Sequence, residues 1–468
     1  MASPKDLRTF LRDVEARAPG DLAYVDREVD STLETAVLAR RLGELGRFPV
    51  LFFRKVRGSS FPLVSNVHAD RKKMALALET DESRLVDEYI SRLSRPVPPR
   101  SVTDGPVKEV VLRGDDIDLE QLPIPVHCPK DAGRYITAGV GVVRDPDSGA
   151  LNLGIYRHQV QGRAQLGIWL NPLFHGGDIF RRAERRGQPL EIAIVVGAHP
   201  ALTMEAENCE PLGSDDYSLA GGLLGEPLPV VAGESVSFPV PAWAEFVIEG
   251  VIPPHVRQDE GPFGEYPLTY GRSRPSPVVR VTAISHRRDA IWQDLNSAQQ
   301  EHLCLWIVPA KEAGLLAKVR AVFPTVKAVH VPFSGAGYHA YVAIEKVREG
   351  DGKNVILAAM GAEPILKHVV AVDDDVDIFR DSEVLWAIAT RVQAHQALFT
   401  VPGARTSPLD PSSYGIGGAY SGEGLVTKLG IDATRPLTVP FAERIGLTDA
   451  DRRIPLEDYL GHGREAAQ

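Results

Sequence analysis

The stretch YITAGVGVVRDPDSGALNLGIYRHQV, residues 135–160, decides the fold. Its two halves, GVGVV and NLGIYRHQV, alternate small or polar positions with apolar ones, and DPDSG separates them. That is the signature of two strands joined by a tight turn, each showing one side to a core or a site. The same style continues on both sides. KEVVLR (108–113), AQLGIWL (164–170) and LEIAIVVGAHPA (190–201) read as strands, as do LPVVAGESVSFPV, EFVIEGVIPP, PVVRVTAISHR and DAIWQDL further on. One helical run interrupts them, FHGGDIFRRAERRG (174–187), which stops at Gly187. So many strands with so little helix predict a barrel-like or sandwich-like central domain over 106–298.

Outside this region the periodicity changes. Residues 4–17, 31–46, 69–79 and 82–93 have helical spacing, and RFPVLFFRKV (47–56) reads as a buried strand. These give an N-terminal α/β domain over 1–105, closed by the Pro-rich linker SRPVPPRSVTDGPV (94–107). After residue 299 helical segments such as KEAGLLAKVRAVF (311–323) alternate with the strand candidates AVHVPF, YHAYVAIEKV and HVVAVDDDV. This predicts a C-terminal α/β domain over 299–468, with a charged tail beyond 437 that packs on a neighbour. The expected class is therefore multidomain α/β.

Bulk properties narrow the function. A chain of 468 residues is too long for one core. With 52 Lys plus Arg against 62 Asp plus Glu, the net charge of -10 disfavours a nucleic-acid partner. No run approaches the ~20 apolar residues that cross a bilayer, and MASPKDLRTFLRDVEARAPG lacks the apolar core of a secretory signal. Cys128, Cys209 and Cys304 are too far apart for a zinc site or a disulfide framework. A cytoplasmic protein with reduced thiols and no membrane partner is expected.

The chemistry concentrates in QDEGPFGEYPLTYG (258–271). Glu260 and Glu265 flank Gly-Pro-Phe-Gly, which cannot continue a helix, so a tight loop holds both carboxylates. If they converge, one keeps a proton near neutral pH, as proton transfer in a closed site needs. A solvated acidic turn is the alternative from these residues alone.

EGPFGEY resembles the second half of the catalytic signature of the UbiD-type prenylated-flavin-dependent decarboxylases, and NLGIYR (152–157) resembles its first half. HVVAVDDDVDIFRDSEVLWAIATRV (368–392) and TKLGIDAT (427–434) resemble the family's C-terminal domain, so the ordered matches span roughly 130–435. The resemblance implies a central split β-barrel that binds flavin. It implies Arg157, Glu260 and Glu265 as catalytic residues: Arg157 orients the substrate carboxylate, Glu265 donates the proton that replaces CO2, and Glu260 tunes both. It implies prenylated FMN as cofactor, its phosphate bridged by Mn2+ (or Mg2+) on Asn152, His175 and Asp216, with K+ nearby. Asp215 stays open as the acidic ligand, and a capping or core role stays open for His175. Ile155, Tyr156 and Lys367 join the cofactor-binding set, with a strand-edge lysine as the other reading of Lys367. Asn296, His302, Leu303, Leu305 and Phe399 are the substrate-side candidates, while Tyr135, Thr137, His199 and His395 are further ones near the site.

The reaction so implied is reversible non-oxidative decarboxylation of an aromatic or heteroaromatic acid, through a covalent adduct with prenylated FMN. The polar and apolar mixture at 296–306 favours an indole-, pyrrole- or furan-carboxylate. A cinnamic, acrylic or phenolic acid is the alternative. A non-catalytic flavin-binding subunit is the rival from another class, and the presence of Arg157, Glu260 and Glu265 together counts against it. The partners implied are the acid and CO2, a flavin prenyltransferase that supplies the cofactor, and further copies of this chain in a dimer or hexamer.

Overall fold

The computed structural model describes residues 5–171, 174–208, 214–413, 424–445, 449–455 and 459. Cys209 and much of the expected C-terminal tail lie outside them. The chain is mixed α/β throughout.

Its centre is a ten-stranded sheet. The expected hairpin is there: Val140–Arg144 pairs antiparallel with Leu151–Ile155. The second half of the quoted stretch is not one strand, however. It breaks after Ile155 and resumes as His158–Val160, which pairs with other neighbours, Tyr135–Ile136 and Gln165–Ile168. Tyr156 and Arg157 fall in the break, and alternation alone does not reveal it. The longest strand, Arg274–His286, pairs with Gln165–Ile168, Phe246–Ile252, Arg257–Glu260 and Val110–Arg113. Inward residues such as Ile192, Ile194, Phe246, Ile248 and Ile284 are fully buried and form one apolar core. The pairing path is open: among the described residues no hydrogen bonding joins Tyr135–Ile136 to Leu151–Ile155, so the sheet does not close into a barrel.

The N-terminal helices Leu7–Arg17, Glu34–Glu44, Arg71–Ala77 and Leu85–Leu93 fall where the periodicity places them. Asp6 caps the first of them in a capping box with Thr9. Leu22–Val25, Val50–Phe53 and Leu63–Ser65 form a small sheet, whose fourth strand is Trp292–Gln293 from far along the chain. The C-terminal sheet runs Val326–His330, His339–Ile344, His368–Asp373, Leu425–Ala433, Leu398–Arg405. Arg391 pairs there with Asp373 and Asp375, while Asp374 between them is exposed. No helix among the described residues is long and apolar enough to cross a membrane.

Candidate active site

The break after Ile155 turns Arg157 inward. Arg157 donates from Nε to Glu260 Oε1 (2.9 Å) and from Nη2 to Glu260 Oε2 (2.6 Å), a bidentate fork. Its Nη1 donates to Glu265. All three side chains are buried. The guanidinium lies between the rings of Trp169 and Phe263, 4.8 and 5.2 Å from their centroids. Burial works against its charge, but Glu265 and Glu260 outweigh that and hold it cationic. Burial also dominates at Glu265 and pushes its pKa above the ordinary carboxylate range; Arg157 pulls it back, and Glu260 pushes it up further. The site thus contains a carboxyl inclined to keep a proton, beside a permanent cation.

The loop bearing the two glutamates is held by its backbone. Gly261 has φ of +91°, and a Cβ there would stand 3.0 Å from the Arg272 carbonyl, so only glycine turns the chain here. Asp131 accepts from Gly264 N (2.8 Å) and Cys128 N (2.8 Å), and Ala132 N donates to Pro262 O (2.8 Å). Gln159 Oε1 accepts from Gly261 N. Sequence reasoning missed Asp131 and Gln159, because the loop atoms they hold, Gly264 N and Gly261 N, are main-chain atoms over 100 residues away.

Arg157 and Glu265 lie on the wall of a cavity of about 460 Å³. Asn152, Ile155, Tyr156 and His175 line it, as do Thr137, His302 and Leu305. Tyr266 and Trp306 add an aromatic wall, with ring centroids 4.2 Å apart. Desolvation lowers the His302 pKa to about 4, so its imidazole is neutral. Glu260 sits behind Arg157 rather than on the wall.

Besides Glu260, five expected site residues lie off the cavity wall: Asp216, which meets Asn152, and Asn296, Leu303, Phe399 and Lys367. Asn296 is fully buried and donates to Asn66 Oδ1 (3.0 Å) and Glu301 Oε2 (3.1 Å). Leu303 lies on the helix Gln300–Ile307, whose cavity face carries His302, Leu305 and Trp306 at helical spacing. That spacing turns Leu303 into the apolar core instead. Phe399 lies against Gly430 of the neighbouring strand, where a Cβ would stand 2.4 Å from its ring. Lys367 pairs with Asp410 (2.9 Å) and donates to Ser412 Oγ (2.7 Å). Among the other candidates, His199 caps the helix Pro200–Glu205, Tyr135 packs on Phe263, and His395 is exposed on a short helix.

Asn152, also on the cavity wall, donates from Nδ2 to Asp216 Oδ2 (2.9 Å), which also accepts from Leu153 N (2.8 Å). Asp216 is buried, whereas Asp215 is exposed and bonds Ser218, so it is Asp216 that meets Asn152. Asn152 Oδ1 is buried without a hydrogen-bond partner. His175 begins the helix His175–Arg185, and burial lowers its pKa, leaving a neutral imidazole. Tyr156 packs on the same helix start, and a side chain at Gly176 would collide with its hydroxyl. Among the described residues no three His, Cys, Asp or Glu side chains gather as a metal site. Asn152 Oδ1, Asp216 and His175 would be the donors to a metal here, an amide, carboxylate and imidazole set of the kind that suits Mn2+ or Mg2+.

Comparison with known proteins agrees along the chain. Residues 15–93, 100–299 and 304–433 match, in turn, the N-terminal, Rift-related and C-terminal domains of 3-octaprenyl-4-hydroxybenzoate carboxy-lyase. The UbiD-class enzyme HmfF from Pelotomaculum thermopropionicum, solved with FMN, is 44% identical with a TM-score of 0.90, over 97% of this chain and 100% of that one. Klebsiella pneumoniae 3,4-dihydroxybenzoic acid decarboxylase is 30% identical with a TM-score of 0.84, over 94% and 98%. The anhydromevalonate phosphate decarboxylase of Methanothermobacter thermautotrophicus is 36% identical over 434 residues, 92% of this chain and 97% of that protein. A phenolic acid decarboxylase of Streptomyces sp. is 32% identical over 92% of each chain. With all three family domains matched in order, the chain belongs to the UbiD family.

Proposed function

We propose that this protein is a prenylated-FMN-dependent carboxy-lyase, releasing CO2 from an aromatic or heteroaromatic acid in the cavity bounded by Arg157 and Glu265. The observation that carries this is the buried fork of Arg157 on Glu260, with Glu265 on the remaining edge at the cavity wall. When bound, the prenylated flavin supplies the electron sink that an unsaturated acid needs to lose CO2. The chain supplies binding and proton transfer. Glu260 takes Nε and one N–H of Nη2 of Arg157, so a substrate carboxylate has only the edge between Nη1 and Nη2, where Glu265 now accepts from Nη1. A protonated Glu265 releases that edge and holds the proton that the substrate carbon takes as CO2 leaves; solvent then reprotonates Glu265. Charge balances, since one carboxylate and one proton become CO2 and a C–H bond.

Tyr266, Trp306 and the neutral His302 favour a flat ring with one polar edge, of the indole-, pyrrole- or furan-carboxylate type. Relatives named for phenolic, dihydroxybenzoic and anhydromevalonate phosphate acids keep phenolic and acrylic-type acids as the alternative. K+ beside the phosphate, a prenyltransferase as cofactor supplier, a cytoplasmic location and a homo-oligomer built on the C-terminal tail belong to the same reading.

Protein co-expressed with a flavin prenyltransferase should be given Mn2+ and K+, kept anaerobic and dark, and offered indole-3-, pyrrole-2-, furan-2-, phenazine-1- and cinnamic acids. CO2 release from a ring acid is expected. Flavin-loaded protein inert on every acid would remove the heteroaromatic reading. For the metal, N152A should weaken Mn2+ binding about tenfold or more, read by the EPR signal of free Mn2+. Unchanged Mn2+ affinity would remove Asn152 from the ligand set.

A further inference from the structure

His127 and Asp294 form a buried pair that none of the steps above uses. His127 Nε2 meets both carboxylate oxygens of Asp294, at 2.9 and 3.1 Å. Thr137 Oγ1 donates to Oδ1 of the same carboxylate (2.9 Å) and accepts from Leu295 N (3.2 Å). Burial works against a charge on the imidazole, yet Asp294, helped by Asp131 and Glu301, raises its pKa above the ordinary histidine value. The ring is thus inclined to stay protonated and to donate. A buried ion pair is often no more stabilising than apolar groups of the same shape. What it adds is direction, because each oxygen fixes where its partner stands.

What each partner carries shows the use of that direction. His127 begins the turn on which the glutamate loop sits. One carboxylate there, Asp131, accepts from His127 N (3.2 Å), Cys128 N (2.8 Å) and Gly264 N (2.8 Å). Cys128 lies so close to Gly264 that a Cβ there would stand 2.6 Å from its Sγ. The His127 ring meets Phe263 edge-on, with centroids 6.4 Å apart, and Phe263 is one of the two rings on Arg157. Asp294 belongs to the cavity wall instead. It precedes Leu295 and Ser297, which line the cavity with Thr137, and leads into the helix that carries His302. The pair therefore joins the seat of Phe263, Gly264 and Glu265 to the 294–302 wall, across 167 residues of sequence.

We propose that His127 and Asp294 are positioning residues for the proton transfer: their pairing fixes the seat of the glutamate loop against the cavity wall, and with it the aim of Glu265 and Arg157. It rests on the reading of the cavity as a decarboxylase site. Neither residue touches the reacting atoms. Their effect passes through Asp131, Cys128 and Phe263 to the loop.

H127Q and D294N keep most of the volume and hydrogen-bonding capacity while removing a charge. The first readout needs neither flavin nor substrate. It is hydrogen–deuterium exchange of the full chain, comparing the 261–266 loop with the core strand Arg274–His286. In both variants the loop should exchange about tenfold or more faster, with the strand at its wild-type rate. The second readout is kcat and KM on whichever of the acids offered above the wild type decarboxylates fastest. Each variant should lose about tenfold or more in kcat, with KM within about twofold of wild type. The double variant should be no slower than the slower single one, since both changes break one pair. Loop exchange or kcat at the wild-type level in the variants overturns the proposal. Strand exchange that rises with the loop also overturns it, because the pair would then be a general prop of the fold. Should one variant fail to fold, the other carries both readouts. Wild-type protein that decarboxylates no acid overturns the decarboxylase reading, and loop exchange then decides whether the pair seats the loop.

Discussion

E265Q protein should bind flavin and fold normally, yet turn over about a thousandfold or more slower than wild type. Glutamine is isosteric and can still meet Arg157 Nη1 through its amide oxygen. It cannot release a proton to carbon. The wild-type side chain is 4% exposed and lines the cavity, so the proton it holds is the one placed beside Arg157 and the substrate. The pH profile gives a second readout. The active form is protonated Glu265, so kcat/KM falls as pH rises through the folded-state pKa. Burial, and then the nearby Glu260, set that pKa above the ordinary carboxylate range in spite of Arg157. The alkaline limb should therefore lie above that range and vanish in E265Q. A pH profile and rate in E265Q matching wild type would remove Glu265 as proton donor.

What the sequence revealed of this site, and what it hid, follows from the length scale of each interaction. Glu260 and Glu265 were legible because five residues and a glycine-bearing turn bring them together locally. Arg157 is over 100 residues from both, and only the family resemblance joined them. The strand break that aims Arg157 inward is invisible in NLGIYRHQV, whose alternation runs through it. The helix Gln300–Ile307 shows the opposite case. Its period of 3.6 was available and would have placed His302, Leu305 and Trp306 on one face with Leu303 turned away. Asn296 looked free to bind a ligand, but Asn66, 230 residues away, takes its amide. The open central sheet could not be foreseen either, since strand count and alternation do not say whether the first and last strands pair.

R157M should be the more damaging change, because it removes both a binding group and a buried counter-charge. Glu260 has both carboxylate oxygens on the guanidinium, and Glu265 shares it. Without Arg157 two buried carboxylates lose that partner, and breaking one side of a buried pair costs about 3–5 kcal/mol. The folded variant must take up a proton to relieve this, which the unfolded chain need not do near neutral pH. Its stability deficit should therefore be greatest near neutral pH and shrink as pH falls into the ordinary carboxylate range. Chemical denaturation at pH 7 and pH 5 reads this directly; an equal deficit at both would show that the loss is one of packing against Trp169 and Phe263. Activity should fall at least as far as in E265Q. R157K separates charge from geometry. An ammonium restores the positive charge and should recover part of the stability. It cannot fork onto Glu260 while presenting a third donor toward Glu265 and the substrate, so activity should stay low. If R157K regained both, a point charge would be all the site requires, and the fork would have no part in orienting the acid.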